Sequence, residues 1–125
     1  MKTKEVYVID EKLCEALTHF GFCKNDAKIL LFLLKEKKAI TRDIERAVYL
    51  RQPEVSVGLK NLRKLGLVKK QDLPRESKGR PIHEYSLNQS KQMFLKKHIE
   101  KEVDTQKKFI EQNFELIRNA LTEGD

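Results

Sequence analysis

Several residue types are scarce in this 125-residue sequence, which has no tryptophan, two cysteines, three prolines and five glycines. So little proline and glycine excludes collagen-like chains, and the 39% of hydrophobic residues excludes full disorder. Cys14 and Cys23 are too few for a disulfide framework and lack metal-ligand spacing, which favours a reducing compartment. The longest apolar run, 29–34, is shorter than the ~18 residues that span a bilayer, and the N-terminus does not resemble a signal peptide. We expect a single hydrophobic core in a cytoplasmic protein.

Positive charge is concentrated in the middle of the chain. The net charge is +7, and residues 1–40 carry +2, residues 41–91 carry +6 and residues 92–125 carry −1. Such a basic segment is typical of proteins that bind a phosphate backbone, because each neutralised phosphate releases condensed counterions. From charge alone, an ordinary solvated surface is the alternative.

Two helices are predicted in the first third of the chain. Apolar residues at helical spacing predict a helix over 11–20 with Asp10 as its N-cap. A second helix, capped by Asn25 or Asp26, contains the apolar run 29–34 and is expected to be the central buried helix.

A short third helix and an amphipathic fourth helix follow. Thr41 is expected to cap the third, after a small strand at 39–40, and Pro53 is expected to begin the fourth, which ends at Gly66. The inward stripe of the fourth helix comprises Val55, Leu59 and Leu62. Its outward arc comprises Pro53, Ser56, Val57, Lys60, Arg63 and Lys64. One face of the fourth helix therefore packs, and the opposite face is basic.

A hairpin and a long helix complete the chain. Residues 67–71 and 82–87 are predicted to pair as strands around a polar, cationic loop at 74–81. Asn88 is expected to cap one helix over 89–122, roughly 50 Å long at 1.5 Å per residue. Its apolar seam consists of Leu95, Ile99, Val103, Ile110, Phe114, Ile117 and Leu121. We expect a second copy of the chain to cover this seam.

This order of elements is typical of a winged helix-turn-helix domain. The segment 51–68, with its Val-Ser…Leu…Leu…Gly-Leu-Val run, resembles the recognition-helix segment of ArsR- and MarR-like transcription regulators of bacteria and archaea. The Lys-Gly-Arg-Pro…Tyr-Ser-Leu pattern at 78–87 resembles the wing of archaeal regulators that include the TrmB-like group.

The expected fold is mainly α (α+β), with three parts. They are an N-terminal arm and helix at 1–24, a winged helix-turn-helix domain at 25–88 and a long C-terminal dimerisation helix at 89–125.

The resemblance implies that the fourth helix enters the major groove of double-stranded DNA. The candidates for base contacts are Ser56, Val57, Lys60 and Asn61. The candidates for contacts to the phosphate backbone are Arg42, Arg46, Arg51, Arg63 and Lys64. The candidates in the wing, at a minor groove or the backbone, are Arg75, Lys78 and Arg80.

No residue pattern predicts an enzyme, a metal site or a cofactor. The three histidines, His19, His83 and His98, have no partner at ligand spacing, and the third helix lacks the cysteine pair of many ArsR-like metal sensors. Gly58 is unfavourable inside a helix, and either close packing against the second or third helix or close approach to DNA would account for it. No residue set identifies a small-molecule effector.

Three functions remain open at this point. The first is a homodimeric, sequence-specific DNA-binding transcription regulator. The second is a winged-helix protein-interaction module within transcription machinery, because a fold does not fix function. The third is nonspecific binding of DNA or double-stranded RNA.

Overall fold

The computed structural model describes residues 7–74 and 82–123. The described chain forms two compact units, the first ending at Ser90 and the second beginning at Lys91. The predicted wing residues Arg75, Lys78 and Arg80 lie outside the described residues.

The first two helices of the N-terminal unit are α1 (Glu11–Thr18) and α2 (Lys24–Glu36). As predicted, Asp10 caps α1: its Oδ1 accepts a hydrogen bond of 3.0 Å from the Leu13 N–H. The cap predicted for α2 is wrong, because the extended residue Cys23 is the N-cap and both candidates lie in the first turn. Asp26 cannot serve as the cap because its side chain is buried and accepts a hydrogen bond from α4 instead.

The next elements are the short strand β1 (Lys38–Ile40), α3 (Thr41–Val48) and α4 (Gln52–Lys64). Thr41 is the first residue of α3 rather than its cap, since Ile40 occupies the extended cap position while it still pairs in the sheet. α4 begins one residue before Pro53, whose missing N–H is also tolerated at the second helical position.

Strands β2 (Val68–Leu73) and β3 (Ile82–Leu87) form the predicted hairpin, and β1 completes an antiparallel sheet in the order β1-β3-β2. The register pairs Ala39 with Tyr85 and Val68 with Leu87. In the chain, β1 comes directly before α3 and β2 follows α4, so that α3 and α4 lie between two strands of this sheet.

The core of this unit lies around α2, which confirms the expected central buried helix. Leu30 and Leu33 of α2 are fully buried, as are apolar side chains of α3 and α4. The largest fully buried side chains are Ile29, Leu30, Leu33, Ile44, Leu59, Leu62 and Leu67. Before α1, the Tyr7 ring packs edge-on against Phe32 of α2 with 5.0 Å between centroids.

The second unit is a long helix with a local change of winding. It consists of α5 (Lys91–Phe94), a π-helical segment (Leu95–Glu100) and α6 (Lys101–Thr122). The prediction of a single α-helix from 89 therefore misses both the start and the π turn. Asn88 does not cap it, because the helix begins three residues later, at Lys91. Asn88 bonds instead to the residues that follow α4: its N–H donates to Leu67 O at 2.8 Å and its Nδ2 donates to Gly66 O at 3.4 Å. Among the described helices, none combines the length and the apolar character needed to cross a membrane.

Candidate nucleic-acid interface

The helix-turn-helix consists of α3, a turn at 49–51 and α4. α4 packs on α2 and α3 through Val55, Leu59 and Leu62, which are buried as the inward stripe predicts. Every residue of the predicted outward arc is exposed. The 3.6-residue period of the helix thus leaves one continuous polar and cationic face in solvent.

Three of the four predicted base-contact residues lie on this exposed face. Ser56 and Lys60 are exposed, and the apolar side chain of Val57 is 60% exposed. Ser56 offers a hydroxyl, Lys60 an ammonium and Val57 a surface for a thymine methyl group. Together they present a donor, an acceptor and an apolar surface within two turns of helix.

Asn61 differs from the other three because it is half-buried and bonded within the protein. Its Nδ2 donates to Asp26 Oδ2 at 3.2 Å, which joins α4 to α2. Asp26 is 7% exposed; burial raises the pKa of its carboxyl, and the hydrogen bond from Asn61 opposes that rise. The amide therefore supplies the partner that a buried carboxyl requires.

Gly58 lies at the same contact between α4 and α2, and close packing explains it. A Cβ added there would be 2.5 Å from Ile29 Cδ1 and 3.1 Å from Asp26 Oδ1. Because Ile29 is fully buried, it has little room to move aside. Glycine therefore lets α4 pack closely against α2 at this point.

The beginning of α4 is fixed by Glu54. Its Oε1 accepts a hydrogen bond of 3.0 Å from the Arg51 N–H, and its Oε2 accepts one of 3.4 Å from Asn25 Nδ2 of α2. A carboxylate here also interacts favourably with the positive end of the helix dipole. The first turn of α4 is thus held at two points, and Ser56 and Val57 follow directly after it.

The predicted backbone-contact residues surround this face and are all exposed. Arg42 and Arg46 lie on α3, Arg51 lies in the turn, and Arg63 and Lys64 lie at the end of α4. Two further exposed cations, Lys69 and Lys70 of β2, follow α4 directly and were not singled out from the sequence. The sequence signal that could have identified these two lysines was their position in a predicted strand that leads into the wing.

The predicted apolar seam of the C-terminal helix is largely exposed. Ile110, Phe114, Ile117 and Leu121 are each at least 58% exposed, whereas Ile99 and Val103 are half-buried. Phe109 and Leu116, not part of the predicted seam, are 64% and 68% exposed and lie beside it on α6. An apolar face of this size on one helix is a surface for association.

Comparison with known proteins identifies the fold and the family. Residues 17–85 match the family model described as the sugar-specific transcriptional regulator TrmB. None of the curated proteins matches the chain.

Several solved structures share its winged-helix fold. A possible transcriptional regulator from Methanosarcina mazei aligns with a TM-score of 0.65 at 17% identity, over 84% of this chain and 85% of that one. MepR, a regulator of a multidrug efflux pump of Staphylococcus aureus, aligns with a TM-score of 0.52 at 18% identity, over 90% and 84%. The archaeal chromatin protein TrmBL2 aligns with a TM-score of 0.57 at 17% identity, over 90% of this chain but 39% of that one.

Proposed function

Since this chain belongs to the TrmB family of transcriptional regulators, we propose that it is a sequence-specific DNA-binding regulator that acts as a homodimer in the cytoplasm. The family consists of transcriptional regulators rather than enzymes.

The recognition helix in this proposal is α4, which enters the major groove. Ser56, Val57 and Lys60 contact base edges, while Asn61 orients the helix from its bond to Asp26. The five exposed cations around α4 bind phosphates and set the docking position without reading sequence. Arg75, Lys78 and Arg80 of the wing contact a minor groove or the adjacent backbone.

One observation carries the proposal: the exposed face of α4 is polar and cationic, bordered by arginines on α3 and in the turn. A protein-interaction module of the same fold would instead be expected to present an apolar patch on this helix. Val57 is the single large apolar side chain that α4 exposes. This composition fits a polyanionic duplex better than a protein surface.

The dimer in this proposal forms through α6. Its exposed residues Phe109, Ile110, Phe114, Leu116 and Ile117 occupy one broad face, whose burial against a second copy removes this apolar surface from water. A twofold dimer of helix-turn-helix domains binds half-sites about 34–36 Å apart, one turn of DNA. A palindromic operator follows from that symmetry.

The test combines DNA affinity with oligomeric state. Genome-wide footprinting identifies the operator, and its affinity is measured by fluorescence anisotropy against salt concentration, with random-sequence DNA and double-stranded RNA as competitors. We expect log K to fall by about 0.9 per phosphate contact for each unit of log salt, and the operator to be preferred roughly 10³-fold or more.

Each alternative function predicts a different result. A protein-interaction module would bind neither the operator nor the competitor duplexes. A nonspecific binder would bind the operator and its competitors equally well. Sedimentation that showed only single chains at the concentrations used for binding would refute the homodimer.

A further inference from the structure

The turn of the helix-turn-helix contains a residue in an uncommon backbone conformation. Tyr49 follows α3 with φ 55° and ψ 44°, in the left-handed region that side chains other than glycine and asparagine rarely adopt. Its N–H and the Leu50 N–H both donate to the carbonyl of Glu45, which ends the helix. This is the position of a helix C-terminus where glycine is most common.

The same chain places glycine at two equivalent helix ends. Gly21 (φ +93°) ends α1 with a Phe22 N–H to Leu17 O bond of 3.4 Å. Gly66 (φ +76°) ends α4 with a Leu67 N–H to Leu62 O bond of 3.1 Å. The bond from the following N–H to the carbonyl five residues back is the one found after α3, so glycine would also suit the third end. Lys37 at the end of α2 also has a positive φ of 73°, but its ψ of −42° lies outside the left-handed helical region. Tyr49 therefore carries a conformational cost that glycine at this position would avoid.

Packing does not account for this tyrosine. Its side chain is 77% exposed, whereas Leu50 beside it is half-buried. Within the described parts of the chain, the Tyr49 phenol makes no hydrogen bond or ring contact. Strain that the fold does not need is typical of residues retained for binding.

We propose that Tyr49 is a DNA-contact residue whose phenol hydroxyl donates a hydrogen bond to a phosphate oxygen of the duplex. The inference rests on the proposed function, in which α3 and α4 face DNA. Tyr49 lies between them, in the same turn as Arg51 and within one helical turn of Arg46. Tyrosine hydroxyls are among the side-chain groups that contact phosphates, and such contacts do not depend on base sequence.

The test uses the full chain and a mixed-sequence DNA duplex, since a phosphate contact requires no operator. Tyr49→Phe removes the hydroxyl and keeps the ring, and we expect it to weaken binding about tenfold, because a hydrogen bond to a charged group is lost. The slope of log K against log salt should stay unchanged, because a neutral phenol displaces no counterion.

Tyr49→Gly should weaken binding similarly while raising the thermal unfolding midpoint by several degrees. Tyr7→Phe, the same change in a tyrosine that packs on Phe32 of α2, is the control and should bind as the wild type does.

Three outcomes decide the matter. Unchanged affinity of Tyr49→Phe in a chain that binds DNA with a steep salt dependence would overturn the tyrosine contact and leave the proposed function standing. A lower unfolding midpoint for Tyr49→Gly would show that the ring stabilises the fold, and would also overturn it. A wild-type chain that bound no duplex would overturn the proposed function, and the contact with it.

Discussion

Asn61 of α4 donates a hydrogen bond to the buried carboxylate of Asp26 on α2, with 3.2 Å between Nδ2 and Oδ2. Burial of Val55, Leu59 and Leu62 sets the rotation of α4 about its axis, and the bond adds a polar contact between the same two helices. The amide thus supports the exposed residues Ser56 and Lys60 from the opposite side of the helix.

The free energy of unfolding should depend on pH through Asp26. Because burial raises its folded-state pKa, the native state holds the proton more tightly than the unfolded state does. The contribution of Asp26 to stability is thus complete below the unfolded pKa, near 3.8, and is lost as pH rises through the folded pKa. Asp26→Asn removes this titration and keeps an oxygen that accepts from Asn61. The stability of the variant relative to wild type, measured by urea unfolding, should rise from about pH 4 to pH 7.

Asp104→Asn, which makes the same change at an exposed carboxyl on α6, serves as the matched control for the substitution itself. A flat profile for Asp26→Asn would show that burial of Asp26 does not affect its titration.

Gly58→Ala should destabilise the fold although alanine favours helices. The new Cβ would lie 2.5 Å from Ile29 Cδ1, and overpacking of this kind costs about 1–3 kcal/mol, more than the ~1 kcal/mol of helix propensity gained. Thermal and urea unfolding measure the net loss.

Ile29→Val provides the check because it removes the Cδ1 atom. In that background Gly58→Ala should cost less, with a coupling energy of about 0.5 kcal/mol or more between the two sites. Additive effects would mean that Ile29 is not the obstacle.

Lys60→Ala and Arg63→Ala should have different effects on DNA recognition. Loss of the Lys60 base contact should reduce the preference for the operator over random DNA, by about 1–3 kcal/mol. Arg63→Ala should weaken binding to both duplexes equally and lower the salt slope by about 0.9. Competition anisotropy measures both quantities, and Lys108→Ala on the polar side of α6 is the charge-matched control. If Lys60→Ala left the preference unchanged, α4 would not read bases at that position.

Ile117→Glu should dissociate the dimer. The side chain is 59% exposed in the single chain, and burial of an unpaired carboxylate in an apolar interface costs several kcal/mol, or roughly a hundredfold or more in the dissociation constant. Sedimentation over a range of concentrations measures the change, and Thr122→Glu introduces the same group on the polar side of α6. Equal dissociation constants for both variants would place the interface elsewhere.

Periodicity predicted much of the fold, because the burial of an apolar stripe decides how a helix lies. It located α2 as the buried helix and separated the two faces of α4. The cap predicted for α2 was wrong at Asp26 because its buried side chain bonds to α4, and such a long-range partner is invisible in a local sequence pattern. The caps predicted for α3 and the C-terminal helix were wrong because these helices begin at Thr41 and Lys91, so that neither Thr41 nor Asn88 stands at the cap position.

Two further features left no clear mark in the sequence. The four-three-four spacing selected one seam of α6 and excluded Phe109 and Leu116, since a broad apolar face contains more than one such row. The left-handed Tyr49 was missed because glycine or asparagine is the usual signal for that conformation.

The π-helical segment Leu95–Glu100 holds one residue more than regular winding would need over the same turns. Its six residues therefore turn the chain through about the same angle as five residues of an α-helix. Deletion of one amino acid in this stretch would restore regular winding and leave the apolar surface of α6 at nearly the same angle, whereas the same deletion inside α6 would rotate every later residue by about 100°. The π segment is thus the place where this helix can change in length with the least effect on the surface that associates.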